Sequence, residues 1–407
     1  MKQVYSLTIA ALAGACLCSC GSEKAFEMGS YGYDSGFLAG QGIETLELQS
    51  ADGQARLLVA PGYQGRVMTS TAAGEKGDSY GWINYKFIGA GEVSPQFNPV
   101  GGEERFWLGP EGGPFSLYFK QGQEQIYRNW VVPPLIDTER FDIAEQSAGK
   151  VKFTKSAVLE NASGTRFDIG IERTISLLDK GQASSMLGVE IPASAKIVAY
   201  STDNAVRNNG PEAWAKESGL VSVWLLCHFT PTPTTTVFIP YETRVEGTIV
   251  NDDYFGKVPA DRLLVEDGMI YFKIDGEYRS KIGVPYGRAK NICGSYDSAK
   301  KVLTLLGFNL PSGPHDYVNG KWGPQDDPFN GDVINAYNDG LTDEGTIMGP
   351  FYEIESSSPG APLAPGQTLH HIQNIVHIQA GDEVIAPIVK QLFGVELHVI
   401  VSKFAKQ

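Results

Sequence analysis

The chain has 407 residues, with 33 Lys and Arg against 47 Asp and Glu, a formal net charge of −14. That balance speaks against a nucleic-acid surface, which needs clustered basic side chains to neutralise phosphates. With 47 Gly, 23 Pro, 18 Tyr and 19 Phe, the composition favours many strands joined by tight turns over helix bundles.

The N-terminus reads as an export signal. Lys2 supplies a short positive region, and Val4 to Leu17 form an apolar run broken only by small or hydroxylated residues. A bilayer span needs roughly 20 apolar residues, so this core is too short to be one. In Leu17-Cys18-Ser19-Cys20-Gly21 a branched aliphatic residue stands three positions before a cysteine, and a small residue just before it. That is the pattern of a lipidated cleavage site, with an ordinary cleaved signal as the alternative. Residues 1–20 are therefore expected to be a lipoprotein signal peptide, with Cys20 acylated. Lipid is then the expected membrane anchor of an exported chain on the bacterial cell envelope, the outer membrane before the inner. Residues 21–36, rich in Gly and Ser and without periodicity, read as a flexible tether, and 37–407 as one domain.

Strand signals then follow at short spacing. Thr45–Gln49 alternates, Asp52-Gly53 marks a hairpin turn, and Ala55–Ala60 returns. Phe115–Phe119 alternates again, and Lys150–Thr154 and Phe167–Ile175 flank a turn at Asn161–Gly164. The pattern resumes at Ser222–Leu226, Thr236–Ile239, Met269–Ile274, Val302–Phe308 and Ile347–Glu355. This predicts an all-β fold, a large antiparallel sandwich with few short helices. Asp382–Leu392 has an acidic start and helical apolar spacing, with Pro387 awkward unless the helix begins near it. Cys227 and Cys293, the cysteines of the body, each sit in a strand-like run and are read as two buried free thiols in preference to a disulfide. No CxxC, HExxH or His-rich cluster occurs, so neither metal nor cofactor is expected.

Four segments carry candidate chemistry. In Ala60–Ser70, Arg66 is bracketed by glycine at a strand end. Gly101–Gly113 packs Glu103, Glu104, Arg105, Phe106, Trp107 and Glu111 between paired glycines. Glycines allow close backbone approach, charged groups bind hydroxyls directionally, and ring faces suit the C–H faces of a sugar. A surface loop with an Arg–Glu pair is the alternative. The third segment is Asn335–Gly340. In the fourth, from Gly349 to Ser356, strand alternation puts Glu353 and Glu355 on one face and Tyr352 and Ile354 on the other. Two such carboxyls in a cleft repel, which raises one pKa and suits it to acid–base work; on an edge strand they are merely solvated. His228, where a strand gives way to a loop, is either a general acid or a structural histidine. His370 and His371 point to opposite faces if on a strand, and His315 looks like part of a loop.

Gly65-Arg66-Val67 after a strand, the loop Gly101–Gly113, and Tyr352-Glu353-Ile354-Glu355 followed by Leu363-Ala364-Pro365-Gly366 resemble the galactose-mutarotase-like superfamily, and within it a lipoprotein branch. The resemblance spans about Leu46 to His377. It implies a β supersandwich with a carbohydrate cleft on its concave face. It also implies a late-strand glutamate as base, matched by Glu355 and next by Glu353, and a histidine as acid, matched by His228. Where aldose epimerases carry Leu-His-Gly-Gly, this chain reads Pro99-Val100-Gly101-Gly102. The expected function is carbohydrate-active or carbohydrate-binding: an aldose 1-epimerase-like isomerase, a non-catalytic glycan binder, or third a glycoside hydrolase. Catalytic candidates are Glu355, His228 and Glu353; substrate contacts are Arg66, Glu103, Glu104, Arg105, Trp107 and Glu111. The expected partner is a carbohydrate, and the expected state a monomer.

Overall fold

The computed structural model describes residues 26–405 apart from 314, 343 and 344. The expected signal peptide and the lipidated Cys20 lie outside the described residues. The strands run β1 Leu46–Gln49, β2 Arg56–Ala60, β3 Arg66–Thr71, β4 Arg105–Gly109, β5 Asp142–Ser147, β6 Lys150–Glu160, β7 Arg166–Leu178, β8 Lys196–Asn208 and β9 Ser222–Phe229. They continue as β10 Thr235–Pro240, β11 Leu263–Glu266, β12 Met269–Lys273, β13 Ser280–Pro285, β14 Ile292–Asp297, β15 Val302–Phe308, β16 Asp332–Asn338, β17 Tyr352–Ser357 and β18 Thr368–Gln379. The helices are short: α1 Tyr31–Gly40, α2 Tyr85–Ala90, α3 Pro134–Asp137, α4 Lys180–Leu187, α5 Asp382–Phe393 and α6 Leu397–Ser402.

Three antiparallel sheets form the body. A small sheet has the order β1-β2-β3, a ten-stranded sheet β11-β12-β10-β14-β15-β18-β8-β7-β6-β5, and a five-stranded sheet β13-β16-β17-β9-β4. The main core lies between the two larger sheets. Phe106, Val223, Leu225, Cys227, Ile282 and Ile354 from the five-stranded sheet meet Phe153, Ile171, Tyr200, Val237, Leu306 and Ile375 from the ten-stranded one. Helices α4, α5 and α6 cover the outer face of the ten-stranded sheet, where Ile385, Ile388 and Ile400 bury Leu303, Leu305 and Val376. Both faces of β15 are therefore apolar, which is why Val302–Phe308 reads as a continuous run.

Helix α5 tolerates Pro387 inside it, because its apolar face is held against the sheet. Cys227 and Cys293 are both buried and unpaired. Two expectations give way. Residues 31–36 belong to α1 and are no tether: Ser30 caps the helix, the Tyr31 hydroxyl donates to Glu47 at 2.9 Å, and buried Asp34 accepts from Ser79 and Tyr85. Tertiary anchoring overrides the weak local propensity of a glycine-rich stretch. Phe115–Phe119 is loop, its shape held by Ser116 Oγ accepting from the Tyr118 amide and by the Tyr118 hydroxyl donating to Leu108 O at 2.9 Å.

Candidate active site

The five-stranded sheet places the site. Its register pairs Glu353 with His228 and Tyr337, Glu355 with Leu226 and Asn335, and Tyr337 with Lys281. It pairs Arg105 with Leu226 and Trp107 with Trp224. Side chains alternate along a strand, so Arg105, Trp107, Trp224, His228, Tyr337, Lys281, Glu353 and Glu355 all stand on the face turned from the core. β17 is the middle strand of five, so its two carboxyls are far from any sheet edge.

On this face lies a cavity of about 150 Å³, walled by Trp82, Phe97, Trp107, Trp130, Trp224, Phe255, Tyr337 and Phe351. Its polar lining is Arg105, Glu111, His228, Arg279, Lys281 and Glu353. Trp82 stacks on Phe351 at 4.6 Å, and Arg105 lies over the Trp107 ring at 3.8 Å.

Glu353 and His228 form a tight pair. His228 Nε2 is 2.6 Å from Glu353 Oε1, and its Nδ1 is 3.0 Å from the carbonyl of Gly102. A carbonyl only accepts, so Nδ1 carries a proton. Another proton must lie between Nε2 and the carboxylate, and the pair is neutral as a unit wherever that proton rests. The glycines make this approach feasible. Gly101 and Gly102 have φ of 82° and 108°, and a side chain on Gly102 would collide with Arg66 Cδ at 2.5 Å. Burial by itself would raise the Glu353 pKa, but His228, Arg105 and Lys281 outweigh it and hold the carboxyl at about 2. Burial alone would strip His228 of its second proton, but the 2.6 Å contact with Glu353 keeps that proton within the pair.

Glu355 is different. It is fully buried, takes a hydrogen bond from Trp224 Nε1 at 2.7 Å, and receives Lys281 Nζ at 3.0 and 3.1 Å on its two oxygens. Burial, eased by Lys281 and reinforced by Glu353, lifts its pKa to about 7. It supports Lys281 and Trp224 from behind and does not line the cavity, so the carboxyl facing the cleft beside the histidine is Glu353. Burial also raises the Glu111 pKa, against Lys281 and Arg105.

Stability should respond to pH accordingly. Glu355, raised from 4.5 to about 7, makes the folded state hold its proton longer, so its contribution falls as pH rises from 4.5 to 7. Glu353, lowered from 4.5 to about 2, contributes fully above 4.5 and is lost as pH falls to 2. The pair's joint contribution should peak near pH 4.5. Denaturant unfolding across pH should show a decline between 4.5 and 7 in wild type that is shallower in Glu355→Gln, where Asp34 and Glu111 still contribute to it.

Other expected contacts are elsewhere. Arg66, 1 % exposed, donates to Gly101 O at 2.7 Å and to Gln64 Oε1 at 3.2 Å, bracing the glycine pair from behind. Glu103 accepts from Ser70 at 2.8 Å and faces His377 at 3.1 Å, while Glu104 pairs with Arg173 at 2.8 Å. Both glutamates are sealed in the sandwich interior and cannot touch a ligand. His371, which bonds Ser356, is also internal, while His370 is exposed beside Asp203 and His315 lies in an exposed loop. Arg105, Trp107, Glu111, His228 and Glu353 do converge on the cavity. The sequence reading missed Lys281 and Arg279, although Arg279-Ser280-Lys281-Ile282 alternates as a strand does.

The fold, a large antiparallel β-sandwich, is shared with solved structures. The Slr1438 protein from Synechocystis sp. PCC 6803 superposes with a TM-score of 0.52 at 12% identity, over 83% of this chain and 96% of that one. A galactose mutarotase-like protein from Lactobacillus casei gives 0.48 at 11% identity, over 83% of this chain and 100% of the other. The chain belongs to a family of unknown function (DUF6786), whose profile matches residues 29–404. No curated protein matches the chain in sequence.

Proposed function

We propose that the cleft binds a sugar ring and interconverts its anomers by acid–base catalysis. One observation carries this reading: a single aromatic-walled cavity holds one carboxyl kept ionised, Glu353, and another pushed towards its protonated form, Glu111. Two carboxyls driven apart by their surroundings are the mark of a base and an acid. The cavity has room for on the order of ten water molecules, which suits one sugar ring.

In the proposed step Glu353 takes the proton of the anomeric hydroxyl as the bond from the anomeric carbon to the ring oxygen breaks. Glu111 protonates that ring oxygen, leaving an open-chain aldehyde. Rotation about the neighbouring carbon–carbon bond and the reverse transfers close the other anomer. His228, Arg105 and Lys281 keep Glu353 ionised. The same reading has the chain exported and held to the envelope by lipid on Cys20.

NMR magnetisation exchange on common aldoses should show faster anomer interconversion with protein than in buffer. Tryptophan fluorescence should change saturably, because four indoles line the cleft. Saturable binding with no acceleration of any aldose would leave a glycan-binding protein in place of the isomerase.

A further inference from the structure

The charges in the cleft do not cancel. Glu353 and His228 are neutral as a pair, since a proton lies between them. Lys281 is matched by Glu355, which it contacts at 3.0 Å. That leaves Arg105, Arg279 and Glu111, and burial moves Glu111 towards its neutral form. The cleft therefore carries an excess of positive charge.

Arg105 is the more telling of the two arginines. It is only 5% exposed, yet none of its guanidinium nitrogens makes a hydrogen bond within the described residues, and Nε is buried without a partner. Its nearest carboxylate oxygen, Glu353 Oε1, is 3.7 Å from Nη2 and already engaged by His228. Packing on the Trp107 ring at 3.8 Å and beside Phe97 at 5.5 Å fixes the guanidinium plane without satisfying its donors. A buried cation with unmet donors is costly, and an anion that accepts two parallel N–H bonds removes that cost.

Arg279 lines the same cavity from the opposite side. It rests on Phe255 at 3.8 Å, touches the Tyr337 hydroxyl at 3.4 Å, and has no carboxylate within salt-bridge distance among the described residues. β4 and β13 are the outer strands of the five-stranded sheet, about 19 Å apart at four strand spacings. The two arginines thus present separate cationic walls, and Arg105 has the stronger claim on an anion. Glu111 and Glu353 line the cavity too, and their oxygens repel a dianion more than a monoanion.

We propose that the sugar taken by this cleft carries a carboxylate, as a uronic acid does, and that Arg105 receives that carboxylate. The proposal rests on the sugar reading above and specifies its substrate class.

The test is isothermal titration of the folded protein with D-glucuronate, D-galacturonate and D-mannuronate. The matching neutral hexoses, and the methyl ester of the tightest uronate, serve as comparisons. At least one uronate should bind about tenfold or more tighter than its neutral hexose and its methyl ester. Arg105→Gln should abolish that preference. The methyl ester removes the ligand's charge without altering the protein, so the comparison holds even if the variant fails to fold. Equal binding of neutral and acidic sugars would overturn the carboxylate assignment and leave the sugar reading standing. Binding of acetate and phosphate but of no sugar would overturn both, as would no binding at all.

Discussion

Glu104→Ala should cost about 3–5 kcal/mol of folding stability, the usual price of leaving one buried charge without its partner. Glu104 and Arg173 are both fully buried, with Arg173 Nη2 2.8 Å from Glu104 Oε1. Gln373 Nε2 donates to the other carboxylate oxygen at 3.0 Å, and Arg173 also donates to Gly65 O at 3.1 Å and to Asn204. Removing the carboxylate strands a guanidinium between two sheets and leaves Gln373 short of an acceptor. Denaturant unfolding measures the loss. Replacing both partners, as Glu104→Met with Arg173→Met, should recover much of it, because an apolar pair leaves no stranded charge. A Glu104→Ala protein as stable as wild type but unable to bind sugar would return Glu104 to the ligand site.

That contrast shows what the sequence could and could not convey. β6 and β7 were legible because alternation survives where one face is buried, whereas the equally long β8 and β18 were not read as strands; β17 puts Glu353 and Glu355 on one face as its pattern requires. Arg105, Phe106 and Trp107 were read together from the sequence as one loop; β4 separates them, with Arg105 and Trp107 lining the cleft and Phe106 turned to the core. Glu103 and Glu104 precede that strand, and only an isolated bridge from Glu104 to Val67 fixes the chain there, so strand parity could not orient them. A signal did exist. Along β7 the buried positions are Phe167, Ile169, Ile171, Arg173 and Ile175, and a charge on the apolar parity announces a buried partner. β18 does the same with His371, Gln373 and His377 around Ile375. Which of two carboxyls on one face reaches the cavity depends on Lys281 and Trp224 from neighbouring strands. That is a matter of cross-strand register, which no local pattern contains.

The choice between those two carboxyls is open to direct measurement. Glu353→Gln should remove most of the acceleration of anomer exchange, whereas Glu355→Gln should leave far more of it. Loss of a positioned acid–base group typically costs roughly 100 to 10,000-fold. The lower end is expected here, because His228 and Arg105 hold Glu353 at about 2, which keeps it ionised but makes it a weak base. An amide has nearly the same shape, can donate from its NH2 to the unprotonated His228 Nε2 and still bonds a hydroxyl, so sugar affinity should change less than rate. Glu355 is fully buried beneath Lys281 and Trp224 and reaches the sugar only through them. Its replacement weakens the hold on Lys281, so the loss should appear as a modest fall in rate together with lower stability. Polarimetry or NMR exchange on both variants, with unfolding curves alongside, separates the two roles. If Glu355→Gln abolished exchange while Glu353→Gln kept it, the base would be the buried carboxyl. Lys281 and Trp224 would then have to move aside when sugar binds.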